Sequence, residues 1–246
     1  MTVSPSVADG MRPGPSPEFL RELSAASEAL ESAHPRDVIR YAAERYFPKL
    51  TMATAFGAEG CVILHFLAEV NPKVHVFNLD TGYQFPETLQ LRDDIAARYG
   101  IEVELVRAAT TTAEYEAPHA LPLYQTNPNQ CCKDRKIDVL KKAAVGWDAW
   151  MTAIRRDQSS DRANAPIVGW DYKFNLVKIN PLANWTKKNV WDLIVKENVP
   201  YNPLYDDGYT SIGCWPCTKR VGMGEDERAG RWSGFAKTEC GLHTRD

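Results

Sequence analysis

Four of the six cysteines stand in two close pairs. Cys131 and Cys132 are adjacent in NQCCKDRK, and two residues separate Cys214 from Cys217 in SIGCWPCTK. Four thiolates grouped this way form a four-sulfur metal site, suited to tetrahedral zinc or to an iron–sulfur cluster. Adjacent cysteines wrap a single ion awkwardly, whereas a cubane presents separate iron corners, so the spacing favours the cluster. Cys240, in KTECGLHTRD, stands outside both pairs and is free to react. A thiolate is the reactive form of cysteine and cations favour it; Lys237, His243 and Arg245 are close in sequence. Cys61, inside the apolar run CVILHFLAEV, reads as core.

Other readings of the cysteines stay open at this level. Cys214-Trp-Pro-Cys217 has the spacing of a dithiol redox pair, though such pairs lie early in their fold and this one lies late. The terminal cysteine could be incidental. Cations also gather near the thiols: Lys133, Arg135 and Lys136 after the first pair, Lys219, Arg220, Arg228 and Arg231 after the second, and Arg155 and Arg156 in AIRRDQ. Each alone is an ordinary surface charge. Together, in a chain of net charge -3, they suit a small, multiply charged anion held in a crevice.

Two loops could serve the same anion. In AFGAEG, Gly57 and Gly60 allow backbone N–H groups to turn toward an anion at a helix N-terminus; the alternative is an ordinary strand-to-helix turn. It is no Walker loop, because Gly-Lys-Ser/Thr is absent. In LDTG, Asp80 could accept hydrogen bonds from a ribose or cap the next helix, and Gly82 permits a tight turn.

The elements that must position these segments alternate between strand and helix. Residues 1–15 are rich in Pro, Ser and Gly and are expected to be disordered. Ser16-Pro17-Glu18 starts a helix, and PRDVIRYAAERYF forms a second. Strands are expected over 50–56, 73–80, 101–107 and 148–156, and helices over 61–70, 85–100 and 184–199. Gly100 should close the 85–100 helix, and Thr186 should cap the last. This alternation implies an α/β fold, a parallel sheet with helices on both faces, in one domain over 16–231. AFGAEG, LDTG and AIRRDQ then lie at the carboxyl ends of strands, where such sheets bind ligands. Residues 232–246 form a tail expected to be mobile.

Composition excludes several classes. A slightly acidic chain argues against a general nucleic-acid or membrane-surface binder, and no apolar run reaches the roughly 18 residues that span a bilayer. The N-terminus has no secretory pattern, so the protein is expected to be cytoplasmic, with reduced, metal-bound or catalytic cysteines. The sequence leaves oligomeric state open, a homo-oligomer included.

TAFGAEG, LDTG, CC with a downstream CxxC, RRDQ and ECGLH together resemble the assimilatory adenylyl-sulfate (APS) and phosphoadenylyl-sulfate (PAPS) reductases, over about residues 50–243. The two cysteine pairs resemble the branch that carries a 4Fe-4S cluster and uses APS. The resemblance implies an adenine-nucleotide α-hydrolase-like fold and the reduction of APS to sulfite and AMP by thioredoxin or a glutaredoxin-like reductant. It implies Cys240 as the nucleophile that becomes an S-sulfonate, and Cys131, Cys132, Cys214 and Cys217 as cluster ligands. Lys136, Arg155, Arg156, Arg228, Arg231 and His243 would surround the phosphosulfate. Thr54, Phe56 and Gly57 would lie near the phosphate, and Leu79, Asp80 and Gly82 near the nucleoside. The family's loop often reads SGAED; FGAEG loses a hydroxyl at Phe56 and a carboxylate at Gly60, leaving backbone donation. The tail lacks the usual aromatic-rich run, so its closure is expected to differ in detail. Alternatives are a PAPS reductase, a tRNA-thiolating enzyme, whose pyrophosphate loop and basic surface are missing here, and a zinc-binding interaction module, for which Cys240 would be dispensable.

Overall fold

The computed structural model describes residues 14–237 and 239–242. Residues 1–13 of the expected disordered segment and His243 lie outside the described residues. Helix α1 (Pro17–Ala29) starts where the sequence places it: the Ser16 side chain accepts the Phe19 N–H, with Pro17 at the first position. After α2 (Pro35–Tyr46) the chain alternates through β1 (Leu50–Ala53), α3 (Ala58–Val70), β2 (His75–Asp80), α4 (Pro86–Tyr99) and β3 (Val103–Arg107). Gly100 closes α4 in the left-handed conformation, φ 65°.

The sequence pattern is silent over the next stretch, which folds as short helices: α5 (Thr112–Glu116), α6 (Leu123–Thr126), α7 (Pro128–Cys132) and α8 (Asp138–Ala143), with a π-helical turn over Lys133–Ile137 between the last two. Strand β4 (Ala149–Met151), the pair β5 (Val168–Asp171) and β6 (Leu176–Ile179), and α9 (Lys187–Glu197), capped by Thr186, follow.

The strand order is β3-β2-β1-β4-β6-β5. All pairings are parallel except β5 with β6, an antiparallel hairpin added at the edge. The sheet is otherwise the parallel one expected from the sequence. Side chains alternate between two faces, as period-2 strands require. Met52, Val76, Met151 and Ile179 join the larger core with α2, α3 and α9. Phe77, Trp150 and Leu176 face a smaller cluster with Leu140 of α8. On the edge, the buried Ser27 hydroxyl of α1 accepts the Ile167 and Val168 N–H groups at 3.0 and 3.3 Å, tying α1 to β5.

From β1 the chain proceeds to β2 on one side and reaches β4 on the other. Their carboxyl ends therefore flank a topological switch point, where open α/β sheets leave a crevice. Strands β1 and β4 are shorter than the runs read from sequence, so Arg155 and Arg156 come after the strand has left the sheet. Arg155 is 1% exposed and pairs with Glu59 in the first turn of α3, with Asp157 at 2.8 Å and with Glu227 at 3.3 Å. Burial drives the Glu59 carboxyl pKa upward, and the Arg155 charge opposes that. Arg155 thus holds the loops together. Arg156 turns away, toward Glu31, Asn184 and the Ala165 carbonyl.

Removing one partner of such a buried network leaves an uncompensated charge. Arg155→Leu should cost about 3–5 kcal/mol, read as a lowered urea midpoint. Arg155→Leu/Glu59→Leu should recover much of that loss in the same titration.

Candidate active site

A cavity of about 220 Å³ opens at the switch point. Its floor comes from strand ends: Ala53 of β1 and Thr54 after it, Asn78 and Leu79 of β2, and Thr152 to Ile154 after β4. The floor is polar but internally satisfied. Asn78 donates to the Thr54 carbonyl at 2.8 Å and accepts from Gln84 at 2.6 Å. The Thr152 hydroxyl donates to Asn180. Fixed partners of this kind hold the floor rigid.

The loop between β1 and α3 reaches the cavity through Thr54 and Gly57, and the first turn of α3 through Gly60. Gly60 is held to glycine by proximity, since a Cβ there would lie 2.7 Å from Thr54 Oγ1. Phe56 takes φ 55° and buries its ring in the larger core, 1% exposed, because a large apolar ring gains more from burial than from a wet crevice. Phe56, expected near the phosphate, therefore does not line the cavity. The Ala58 N–H at the start of α3 donates to the Tyr205 hydroxyl at 3.1 Å.

LDTG is likewise redistributed. Asp80 accepts the Gly82 N–H at 2.9 Å and pairs with Arg107 of β3 at 2.7 Å, so it neither faces the cavity nor caps α4. Gly82, φ 77°, packs against Thr112, away from the crevice. Leu79 lines the cavity, and so does Thr81, which the sequence reading left out.

The cations divide by partner. Lys136, Arg228 and Arg231 line the cavity, while Arg155 and Arg156 do not. Arg231 lies over the Trp232 ring, 4.5 Å from its centroid, a favourable cation–π placement. Gly213 makes room for that guanidinium: a Cβ there would sit 2.3 Å from Arg231 Nη2. A bridge pairing Thr218 with Arg231 fastens this arginine loop to the CWPC segment.

A second, smaller cavity adjoins the first and is lined by Cys131, Cys132, Cys214 and Cys217. The structure thus brings together both cysteine pairs from segments far apart in sequence. The π-helical turn directly follows Cys132, and Lys136 projects from it to line both cavities. Burial pushes the Cys131 thiol up to about 12 and Cys217 to about 11. Burial also works on Cys214, but Lys136, the Thr81 hydroxyl at 3.3 Å and Arg231 outweigh it and hold that thiol below its ordinary range. Burial works to lower the Lys136 pKa, but Cys214, Cys132 and Cys240 together outweigh it and hold the ammonium above its usual pKa. Among the described residues no three His, Cys, Asp or Glu side chains converge where a single ion could sit.

Cys240 lines the larger cavity, facing the set that includes Lys136, Arg228 and Arg231. The tail around it is docked. Glu239 is gripped by Arg162 through two 2.9 Å contacts, Lys173 donates to the Gly241 carbonyl at 2.9 Å, and Leu242 packs on the smaller apolar cluster. Arg162, Gln158, Trp232 and Glu239 escaped the sequence reading. RRDQSSDR carries three arginines and nothing local shows that the third, not the first two, faces the crevice.

Comparison with known proteins agrees with this architecture. The family model for the phosphoadenosine phosphosulfate reductase domain matches residues 49–220. A phosphoadenosine 5'-phosphosulfate reductase from Gloeobacter violaceus is 43% identical, covering 87% of this chain and 90% of its own. An adenosine 5'-phosphosulfate reductase from Streptomyces coelicolor is 43% identical, covering 92% and 95%. The solved phosphoadenylyl-sulfate reductase of Candida auris, a phosphate complex, superimposes with a TM-score of 0.72 at 30% identity, covering 85% of this chain and 98% of that one. The fold is thus the adenine-nucleotide α-hydrolase-like one, a mostly parallel sheet between helices. By the extent of these matches, the chain belongs to the phosphoadenosine phosphosulfate reductase domain family.

Proposed function

We propose that the protein reduces adenylyl sulfate to sulfite and AMP, with Cys240 as nucleophile and a thioredoxin-type dithiol as reductant. The observation that carries this reading is the placement of the Cys240 thiol in one crevice with Lys136, Arg228 and Arg231. In the first step the Cys240 thiolate attacks the sulfur of the phosphosulfate. An S–S bond forms, the S–O bond to phosphate breaks, and AMP leaves with the electron pair. The cations face the oxygens where charge accumulates, which is where preorganised groups lower a barrier. In the second step a reductant thiolate attacks Cys240 Sγ and sulfite departs. The reductant's second thiol then displaces Cys240, leaving the reductant as a disulfide and returning the enzyme thiol. The dithiol supplies both electrons, so none need come from a metal centre.

Cys131, Cys132, Cys214 and Cys217 would hold a 4Fe-4S cluster. When bound, it supplies a fixed charge centre that complements the Lys136 ammonium, which reaches from the cysteine cavity into the substrate crevice. Cys132→Ser should lower bound iron and acid-labile sulfide together and weaken the brown visible absorption.

Relatives named for both adenosine phosphosulfate and phosphoadenosine phosphosulfate stand at equal identity. The choice of APS rests on the cysteine pairs. Intact-mass measurement after mixing the anaerobic protein with APS or PAPS, without reductant, tests it. A sulfonate adduct is expected with APS, lost on adding thioredoxin and absent in Cys240→Ser. An equal adduct with PAPS would reassign the substrate. No adduct from either would remove Cys240 as nucleophile.

A further inference from the structure

The carboxylate next to the reactive thiol has an unusual setting. Glu239 is 6% exposed and Arg162 is 7% exposed, so the pair is almost wholly out of water. Arg162 Nε and Nη2 donate to the two Glu239 oxygens, both at 2.9 Å, in the forked geometry that fixes a carboxylate's plane as well as its position. The Ser159 hydroxyl donates to the same group at 3.3 Å, and Arg228 Nη2 does so at 3.2 Å. Gln158 accepts from Arg162 Nη1 and so sets the guanidinium's orientation from behind. On the far side of Cys240, Lys173 in the β5–β6 turn donates to the Gly241 carbonyl. Gly241, φ 84°, lies so close to Ile137 that a Cβ would meet Ile137 Cδ1 at 2.8 Å.

We propose that Glu239 is a positioning residue: its clamp by Arg162 and Arg228 sets where the Cys240 thiol stands over the crevice for the first step. Nothing in the chemistry of sulfur transfer requires a carboxylate beside the nucleophile, and an anion near an anionic substrate is unfavourable unless it is neutralised. Two guanidinium groups neutralise it here. Arg228 serves both the clamp and the crevice, so the tail is anchored to a group that also faces the substrate. Placement by adjacent residues matters because a thiolate displaced by about 1 Å loses roughly a hundredfold in rate. A protein reductant, in contrast, needs a thiol it can reach, and Cys240 is only partly exposed in the docked tail. The inference rests on the reading of Cys240 as nucleophile, but one arm of its test does not.

That arm is alkylation of Cys240 by iodoacetamide without substrate, followed by peptide mass spectrometry in the full-length protein. Glu239→Gln should raise the rate about tenfold, as expected when a thiol's access depends on a local opening. The second arm is single-turnover sulfonation by APS. Glu239→Gln should slow it roughly a hundredfold at saturation, while the half-saturating concentration stays within about threefold. Discharge of preformed adduct by reduced thioredoxin should be unchanged or faster. Glu239→Asp, which keeps the charge, should recover part of the sulfonation rate, and it carries the test if the glutamine variant is poorly soluble. Unchanged alkylation and sulfonation in Glu239→Gln would overturn the inference. So would a loss seen wholly as a raised half-saturating concentration, because that assigns the carboxylate to substrate affinity. Faster alkylation in a protein whose wild-type form takes no sulfonate would sustain the clamp and overturn the proposed reaction instead.

Discussion

Opposite charges cannot be buried singly, and the ion pair between Arg162 and Glu239 ties the chain's end to its centre for that reason. Arg162 belongs to the loop after β4 and Glu239 to the tail. Neither side chain has solvent to fall back on. The crevice carries a surplus of cations that the sheet's strand ends do not neutralise. Among the described residues the balancing groups are Glu239 from the tail, Glu59 and Glu227 at the crevice, and the Cys214 thiol of the CWPC segment, which interacts with Lys136. Chain end, cysteine segments and strand-end loops therefore form one electrostatic unit.

The sheet's topology explains why that unit sits where it does. Parallel order fans outward from β1, so loops from three neighbouring strands open on the same side. The edge hairpin β5–β6 adds nothing to that fan, but its turn carries Lys173, which holds the tail's backbone. The smaller apolar face of the sheet is thinly covered by α8, and Leu242 adds to that cover. One short segment thus contributes a thiol to the crevice and a side chain to the core.

Much of this was legible in the sequence, and the rest was not for specific reasons. Helices α1 and α9 were marked by their capping residues, and α4 by Gly100, because those signals are local. The cysteine pairs were legible because thiols are rare and their spacing carries meaning. Strands β5 and β6, of four residues each, hold too few residues for periodicity to register, and so the hairpin was missed. Arg155 and Arg156 were misassigned, unlike Arg228 and Arg231, because charge is visible in a sequence while its partner is not. Arg155 meets Glu59 across the fold and Arg162 meets Glu239 near the far end, and only the folded chain decides which of the two faces the crevice. Phe56 and Asp80 occupy suggestive loop positions, but one is drawn into the core and the other to Arg107.

The π-helical turn over Lys133–Ile137 sets a helical phase. A π turn accommodates one residue more than an α turn does, so everything beyond it is rotated by about 100° relative to a continuous α-helix. Cys131 and Cys132 lie on one side of this phase slip and α8, with its buried Val139 and Leu140, on the other. The vicinal cysteines and the core-facing stripe of α8 can therefore each point where they must, although no regular helix would present both. Lys136 lies within the slip. Losing a single residue there would force a choice between the packing of α8 and the aim of the ammonium group, so chain length over these five positions is as constrained as residue identity.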